Sequence, residues 1–162
     1  GDVFPIPDGH IPETSARVMS FTDPTSKMSK SDPTVKSRIL ILDDPDVMRK
    51  RIRSAVTDSD PEIRYDTEVK PGIANLLEIM SACTHRSIDD LVDEYAGAGY
   101  GAFKDAVADA VLEELAPFKP RYKALTNGDV RAILREGGER ASTLAGPYEA
   151  EVRKAVGIKG YR

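Results

Sequence analysis

Apolar residues recur at helical spacing over most of the chain after Asp43, and prolines and glycines interrupt this pattern at short intervals. Such spacing places apolar side chains on one face of each helix, so these faces must pack against one another. Asp44 followed by Pro45, and Ser87 followed by Asp90, are typical helix starts. The sequence therefore predicts a mostly α-helical fold built as a helical bundle.

We expect this bundle to occupy the Asp43–Tyr122 region. Its predicted core consists of Ile52, Val56, Ile73, Leu76, Leu77, Met80, Leu91, Val107, Val111 and Leu115. In the last helical region, Gly137-Gly138 and Gly146-Pro147 predict a division into shorter pieces. The residues before 43 are rich in proline and turn residues, with one short extended segment predicted over Ala16–Phe21.

Charge and hydropathy exclude several classes of protein. The 162 residues carry 23 basic and 27 acidic side chains, for a net charge of −4. An acidic stretch, 54–118, separates basic stretches at 27–53 and 119–162, and the acidic total argues against non-specific nucleic-acid binding. No apolar run approaches the roughly 20 residues that cross a bilayer. The chain also begins without the basic and apolar regions of a secretory signal, so we expect no membrane partner. Because it does not begin with Met, we expect a processed or truncated piece.

The single cysteine, Cys83, excludes a disulfide framework and fits a reducing cytoplasm. Its apolar, helically spaced surroundings predict a buried free thiol rather than a nucleophile. The two histidines, His10 and His85, lack the spacing of metal ligands, so we expect no metal site. His85 is expected to be a surface or capping residue.

Lys27-Met28-Ser29-Lys30-Ser31, here called the lysine loop, is the most specific motif. Two lysines three positions apart on a serine-rich turn could both face one polyanion, and hydroxyls and turn amides would add donors. On composition alone, a solvated loop is the simpler interpretation. The chain contains no Walker phosphate loop, dinucleotide glycine fingerprint or nucleophile elbow.

These five residues are identical to the KMSKS signature of class I aminoacyl-tRNA synthetases, a match expected by chance in about one such chain in ten thousand. Further stretches resemble the bacterial tryptophanyl branch of that family: Ala16–Pro33 around the loop, Ser54–Ser59, Ile63–Asp66, Lys70–Leu77 and Gly99–Lys104. Tyrosyl-tRNA synthetases share the architecture, but the segments after the loop resemble the tryptophan branch. The resemblance covers nearly the whole chain.

The resemblance implies that the chain is the carboxyl-terminal half of such an enzyme, because the His-Ile-Gly-His type motif and the indole pocket of the family are not found. On this basis residues 1–42 form the end of a Rossmann catalytic domain with the lysine loop. Residues 43–126 form the small helical domain of the anticodon-binding type. Residues 127–162 form a helical segment that packs back toward the catalytic domain.

The resemblance also implies roles for individual residues. Lys27 and Lys30 are the expected catalytic residues, which hold the triphosphate and the leaving pyrophosphate. The expected ATP-binding residues are Val18, through its backbone at the adenine, and Lys27, Met28, Ser29, Lys30 and Ser31. ATP is expected as substrate, with Mg²⁺ on its phosphates.

The expected function is that of a tryptophan–tRNA ligase. Its partners are tRNA(Trp), and tryptophan and ATP bound through the absent amino-terminal half. The whole parent enzyme is expected to be a homodimer, and the chain alone to be inactive. The alternative is a non-catalytic module derived from a synthetase, which binds tRNA or a protein.

Two basic clusters leave alternatives open. Arg49-Lys50-Arg51 could contact tRNA phosphates, although a solvated helix face is the simpler interpretation. Lys119, Arg121 and Lys123 surround Tyr122, a combination suited to an unstacked base. The alternative for that cluster is a helix end stabilised by cations.

Overall fold

The computed structural model describes residues 3–4, 6–11 and 17–158 of the chain. The chain divides into two compact units: the larger is Ile11–Arg121, and the smaller combines Gly1–His10 with Tyr122–Arg162. Ala16, where the predicted extended segment begins, and residues 159–162 lie outside the described residues. The division into domains at 1–42, 43–126 and 127–162 stays a prediction.

The described residues are mainly helical, as the apolar spacing predicted. The larger unit contains a 3₁₀ turn at Val35–Ser37 and the helices α1 (Pro45–Arg53), α2 (Pro71–Thr84), α3 (Ile88–Tyr95) and α4 (Gly99–Leu115). The helix α5 (Phe118–Ala124) contains the boundary between the units, and α6 (Asn127–Ala155) belongs to the smaller one. In the described ranges, no helix is both long enough and apolar enough to cross a membrane.

Three helices begin where a side chain caps the amides of the first turn. The Asp44 carboxylate accepts such an amide at 2.9 Å at the start of α1. The Ser87 hydroxyl accepts the Asp90 N–H at 3.2 Å at the start of α3. These two starts confirm the predictions. At α6, Thr126 and Asp129 cap each other's backbone amides, so an otherwise weakly apolar helix has a well-defined beginning.

The core of the larger unit lies where α1 and α2 pack on α4, with α3 against α2. Most of the predicted core is buried: Ile52, Ile73, Leu76, Leu77, Met80, Leu91, Val107 and Val111. Leu115 is partly buried against this cluster. The prediction for Val56 was wrong, since its side chain is 48% exposed. The reason is that α1 ends at Arg53, so the helical period no longer applies at Val56.

The predicted division of the last helical region was also wrong. Helix α6 continues for 29 residues through Gly137-Gly138 and through Gly146-Pro147. Each glycine costs only about 1 kcal/mol relative to alanine in a helix, and Pro147 removes one backbone donor. The helix accommodates these local costs over its length.

Helix α2 begins in close contact with the preceding chain. A Cβ atom on Gly72 would lie 2.2 Å from the carbonyl oxygen of Val56, so a side chain at this position would force the two segments apart. The Val56 N–H donates to the carbonyl of Phe21 at 2.7 Å, and the Phe21 N–H donates to the carbonyl of Ser37 at 2.9 Å. Three distant segments are therefore joined by backbone contacts at the start of α2.

Lys70, directly before α2, has a buried charge with 1% of the side chain exposed. Its ammonium donates to the Asp58 carboxylate at 3.0 Å, to the Tyr100 hydroxyl at 3.0 Å and to the carbonyl of Asp60 at 2.9 Å. It also pairs with the Asp60 carboxylate at 2.9 Å. Burial would lower the pKa of Lys70, but the hydrogen bonds to the phenol and the two carboxylates raise it overall. This cluster fixes the connection between α1 and α2.

The two carboxylates have lowered pKa values. At Asp58, burial acts to raise the pKa, but hydrogen bonds from Lys70 and Tyr100 outweigh that effect. At Asp60, the hydrogen bond from Lys70 is the largest cause of the lowered pKa. Both groups are therefore held in the ionised form by the folded chain.

We expect the larger unit to lose stability as the pH falls below about 4. Because the pKa of Asp58 is lower in the folded chain, the unfolded chain takes up a proton first. The stabilisation that ionised Asp58 provides is thus complete at a pH above the pKa of Asp58 in the unfolded chain. It is lost as the pH falls through the pKa of Asp58 in the folded chain. Urea unfolding of wild type and Asp58→Asn across this range should show a weaker pH dependence in the variant. Exposed Asp93→Asn is the control, and equal dependence in the two variants would contradict the assignment.

Candidate functional site

The lysine loop begins on the second arm of a small hairpin that holds a single antiparallel bridge. Met19 and Lys27 form an antiparallel bridge. Two backbone hydrogen bonds flank this pair: Ser20 N–H to the Ser26 carbonyl at 2.8 Å, and Met28 N–H to the Val18 carbonyl at 2.9 Å. In such a pair, the N–H and C=O of Met19 point away from the partner strand. This pairing confirms the predicted extended segment at residues 18–20.

Side chains rather than further strand pairing shape the turn between these two segments. The Asp23 carboxylate accepts the Thr25 N–H at 3.1 Å and the hydroxyls of Thr25 and Ser26, both at 2.6 Å. These hydrogen bonds, that from Ser26 first, lower the pKa of Asp23. The Ser20 hydroxyl accepts two more turn amides. The turn is thus closed by its own residues and presents the loop that follows.

Lys27 and Lys30 are both exposed. Among the residues that the structure describes, neither ammonium group makes a hydrogen bond or an ion pair. Met28, between them in sequence, is partly buried and packs against the core of the larger unit. An apolar anchor flanked by two available cations is an arrangement that can hold a polyanion outside the protein surface.

The carboxyl-terminal side of the loop is held by local hydrogen bonds. The Ser29 hydroxyl accepts the Ser31 N–H at 3.3 Å, and the two hydroxyls lie 3.2 Å apart. The Asp32 carboxylate accepts the Thr34 N–H at 2.7 Å, which is the main reason why the pKa of Asp32 is lowered. Arg38 donates to the Asp32 carbonyl at 2.7 Å. Both ends of the loop are therefore fixed, while its basic groups are exposed.

Val18, the residue predicted at the adenine, lies on the first strand of the hairpin and is 37% exposed. Its carbonyl accepts the Met28 N–H, so the predicted adenine contact and the lysine loop share one backbone pair. Asn75 of α2, which sequence reasoning missed, bonds the backbone of Met19 next to it. An amide within the apolar run of α2 was the available signal.

The basic residues of α1 make contacts within the larger unit. Arg49 pairs with Asp109 of α4, and Arg51 pairs with Asp43 and donates to the Arg38 carbonyl at 3.1 Å. Hydrogen bonding to Asp109 is the largest cause that raises the pKa of Arg49. Two of the three cations considered for tRNA phosphates are thus engaged in ion pairs.

The second basic cluster remains open to both alternatives. Lys119 donates to the carbonyl of Asp43, and this contact lies within the larger unit. Tyr122 is 53% exposed, and Arg121 and Lys123 are exposed as well. Lys119 therefore has a structural role in the larger unit, and the ring of Tyr122 is accessible in the smaller one.

The remaining candidates have structural roles. Cys83 is half-buried, and burial raises the pKa of its thiol, which lowers its reactivity at neutral pH. His85 is the exposed C-cap of α2 in the left-handed region, at φ 56°, in agreement with the prediction of a capping residue. The described ranges hold no group of three or more His, Cys, Asp or Glu side chains that could bind a metal ion.

The chain is similar in sequence to one well-defined family. The family profile described as "tRNA synthetases class I (W and Y)" matches residues 1–116. The tryptophan–tRNA ligase of Oceanobacillus iheyensis is 46% identical over 158 residues, which are 97% of this chain and 48% of that protein. The Corynebacterium glutamicum ligase is 46% identical over 164 residues, covering 100% of this chain and 48% of the relative. The chain spans about half the length of the curated relatives it matches.

A solved structure supports the same comparison. The crystal structure of tryptophanyl-tRNA synthetase from Mycoplasma pneumoniae matches with a TM-score of 0.82 at 26% identity. The match covers 91% of this chain and 47% of the other. The resemblance inferred from the lysine loop and its neighbouring segments is thereby confirmed.

Proposed function

Because the chain belongs to the class I tRNA synthetases for tryptophan and tyrosine, we propose that it is the carboxyl-terminal part of a tryptophan–tRNA ligase. The whole enzyme would activate tryptophan with ATP and transfer it to tRNA(Trp). The observation that carries this proposal is the lysine loop. Its two exposed ammonium groups, without partners among the described residues, stand on a hairpin that is tied to a buried helix.

The proposed reaction has two steps. A carboxylate oxygen of tryptophan attacks the α-phosphorus of ATP and forms the new P–O bond of tryptophanyl-adenylate. The bond from that phosphorus to the bridging oxygen breaks, and pyrophosphate leaves with the electron pair. A ribose hydroxyl at the end of the tRNA then attacks the acyl carbon, loses its proton and releases AMP. In the first step, positioning and charge neutralisation provide most of the catalysis.

The residues of the hairpin would divide these tasks. Lys27 and Lys30 would hold the triphosphate and meet the charge that develops on the leaving pyrophosphate. Val18 would contact the adenine through its backbone. The loop residues Met28, Ser29 and Ser31 would complete the ATP-binding surface with backbone amides and hydroxyls. Mg²⁺ would accompany the phosphates of ATP.

The helices would serve the larger substrate and the rest of the enzyme. The helical domain at 43–126 would receive the anticodon end of tRNA(Trp). On α6, five exposed apolar side chains lie along one side: Val130, Ile133, Leu134, Leu144 and Tyr148. This exposed apolar face supports the proposal that residues 127–162 pack back on the catalytic domain. The parent would be a cytoplasmic homodimer, with its dimer surface in the preceding half.

A non-catalytic module derived from a synthetase is the second candidate. The exposed Tyr122 among basic residues favours nucleic-acid binding of this kind, because an accessible ring and cations suit an unstacked base. Such a module, however, has no need for the lysine loop. The two candidates differ in whether substitutions in that loop affect catalysis.

We expect residues 1–162 alone to show no tryptophan-dependent exchange of pyrophosphate into ATP. The reason is that the family's indole pocket and its His-Ile-Gly-His type motif, which holds ATP, are assigned to the preceding half. A chimera that joins this chain to the amino-terminal half of the Oceanobacillus iheyensis relative should show the exchange. Exchange by the rigorously purified chain alone would contradict this assignment. A folded chimera that binds tRNA but shows no exchange would favour the non-catalytic module.

A further inference from the structure

The amide of Asn75 takes the place of a third strand beside the hairpin. Its side chain is buried in α2, with 4% of the residue exposed. Its Oδ1 accepts the Met19 N–H at 2.8 Å, and its Nδ2 donates to the Met19 carbonyl at 3.0 Å. One side chain therefore satisfies both backbone groups of Met19 that point away from Lys27.

These two hydrogen bonds hold the hairpin against α2 and connect no residues within α2 itself. Asn75 is the one polar side chain among the buried residues of that helix, and both of its bonds go to a residue 56 positions earlier. A buried amide is costly unless it is hydrogen-bonded, so a polar residue here is favourable only while the hairpin is in place. The apolar neighbours Leu76 and Leu77 fill the core without contacting Met19 through such bonds.

The hairpin has a second connection of a different kind. Phe21 is bound to Ser37 and Val56 through backbone groups, and its side chain is buried in the core of the larger unit. Met19 depends on the side chain of Asn75, and Met19 is the residue paired with Lys27. Phe21 and Met28 contribute apolar contacts to the core, whereas Asn75 is the side chain that hydrogen-bonds the backbone of the residue paired with Lys27.

We propose that Asn75 is a positioning residue for the lysine loop. By fixing Met19, it sets the position of Lys27 and of the Val18 backbone, which must reach the triphosphate and the adenine of the same ATP molecule. This inference rests on the proposed function. Asn75 itself touches no substrate and acts through the backbone pair.

The test compares two variants of Asn75 with a control on the same helix. Asn75→Leu keeps the branched shape of the side chain, with a larger volume, and removes both hydrogen bonds, whereas Asn75→Asp keeps the acceptor and removes the donor. Leu76→Ala weakens the same helix without touching Met19. Hydrogen exchange of the Met28 amide is measured in the 162-residue chain. This amide donates to the Val18 carbonyl, next to Met19, so it reports on the hairpin without itself contacting Asn75. In both Asn75 variants, we expect the exchange rate of the Met28 amide to rise about tenfold or more relative to the rates of α4 amides. In Leu76→Ala, the ratio of the Met28 rate to the α4 rates should stay as in the wild type.

The same variants are then measured in the chimera. Because a small displacement of a catalytic group can reduce the rate strongly, we expect kcat for tryptophan activation to fall about tenfold to a hundredfold in the Asn75 variants. KM for tryptophan, and transfer from preformed adenylate, should stay unchanged. Leu76→Ala should keep the wild-type kcat per folded molecule.

Two results would overturn the inference. One is exchange of the Met28 amide in Asn75→Leu that matches wild type or changes only as in Leu76→Ala. The other is an unchanged kcat for activation in an active chimera that carries either Asn75 variant. A wild-type chimera without activity contradicts the proposed function instead, and the exchange of Met28 then decides about Asn75 by itself.

Discussion

Lys27→Ala and Lys30→Ala should each lower kcat for tryptophan activation by about thirty-fold to a thousand-fold in the chimera. In bound ATP, the proposed Mg²⁺ would already neutralise part of the charge. More negative charge moves onto the bridging oxygen only as pyrophosphate departs. Ammonium groups on an exposed loop can meet that charge late, so they stabilise the transition state more than the ground state. Loss of one such contact is expected to cost about 2–4 kcal/mol.

The two half-reactions separate this effect from general damage. KM for tryptophan should move little, because no indole contact is removed. Transfer of preformed tryptophanyl-adenylate should be less affected, since pyrophosphate has already left. Lys36→Ala is the matched control: this lysine is also exposed but lies in the 3₁₀ turn after the loop. Wild-type activation rates in both loop variants would refute the catalytic role and favour the binding module.

Leu76→Ala should lower the free energy of unfolding of the chain by about 2–5 kcal/mol. Leu76 is fully buried, at 0% exposure, in the cluster that α2 forms with α1, α3 and α4. Removing most of its side chain loses apolar burial and leaves a cavity that the surrounding helices can close only in part. Chemical denaturation of the 162-residue chain, followed by circular dichroism, measures the change.

The control for this substitution is Leu134→Ala in α6. Leu134 is 69% exposed, so the same chemical change should alter stability by no more than about 0.5 kcal/mol. A loss below about 0.5 kcal/mol in Leu76→Ala as well would mean that Leu76 does not belong to the core.

The parts of the fold that were predictable depend on neighbours in sequence. The cap at Ser87 and the apolar face of α4 are set by residues within one or two turns, so their patterns are visible in a single chain. The lysine loop was predictable for another reason: five consecutive residues are specific enough to indicate a family.

The contacts that position the loop depend on residues far apart in sequence. Asn75 and Met19 are separated by 56 positions, and Lys70 and Tyr100 by 30. Gly72 is required because the Val56 carbonyl approaches it, which no local pattern indicates. The error at Val56 has the same origin, since its exposure follows from a helix end and a distant backbone partner. Tertiary contacts of this kind become visible only when the segments are placed together.

The unbroken course of α6 has a consequence for changes in chain length. At about 3.6 residues per turn, deletion of one residue rotates everything after it by about 100°. Within α6, such a deletion would carry Leu144 and Tyr148 off the side that they share with Val130 and Leu134, although every remaining residue is unchanged. Removal of seven residues, close to two full turns, shifts that side by only about 20°. Insertions and deletions in this helix should therefore be tolerated when they return the later side chains to the same side. A change of seven or eleven residues does so to within about 20°, whereas a change of one or two residues does not.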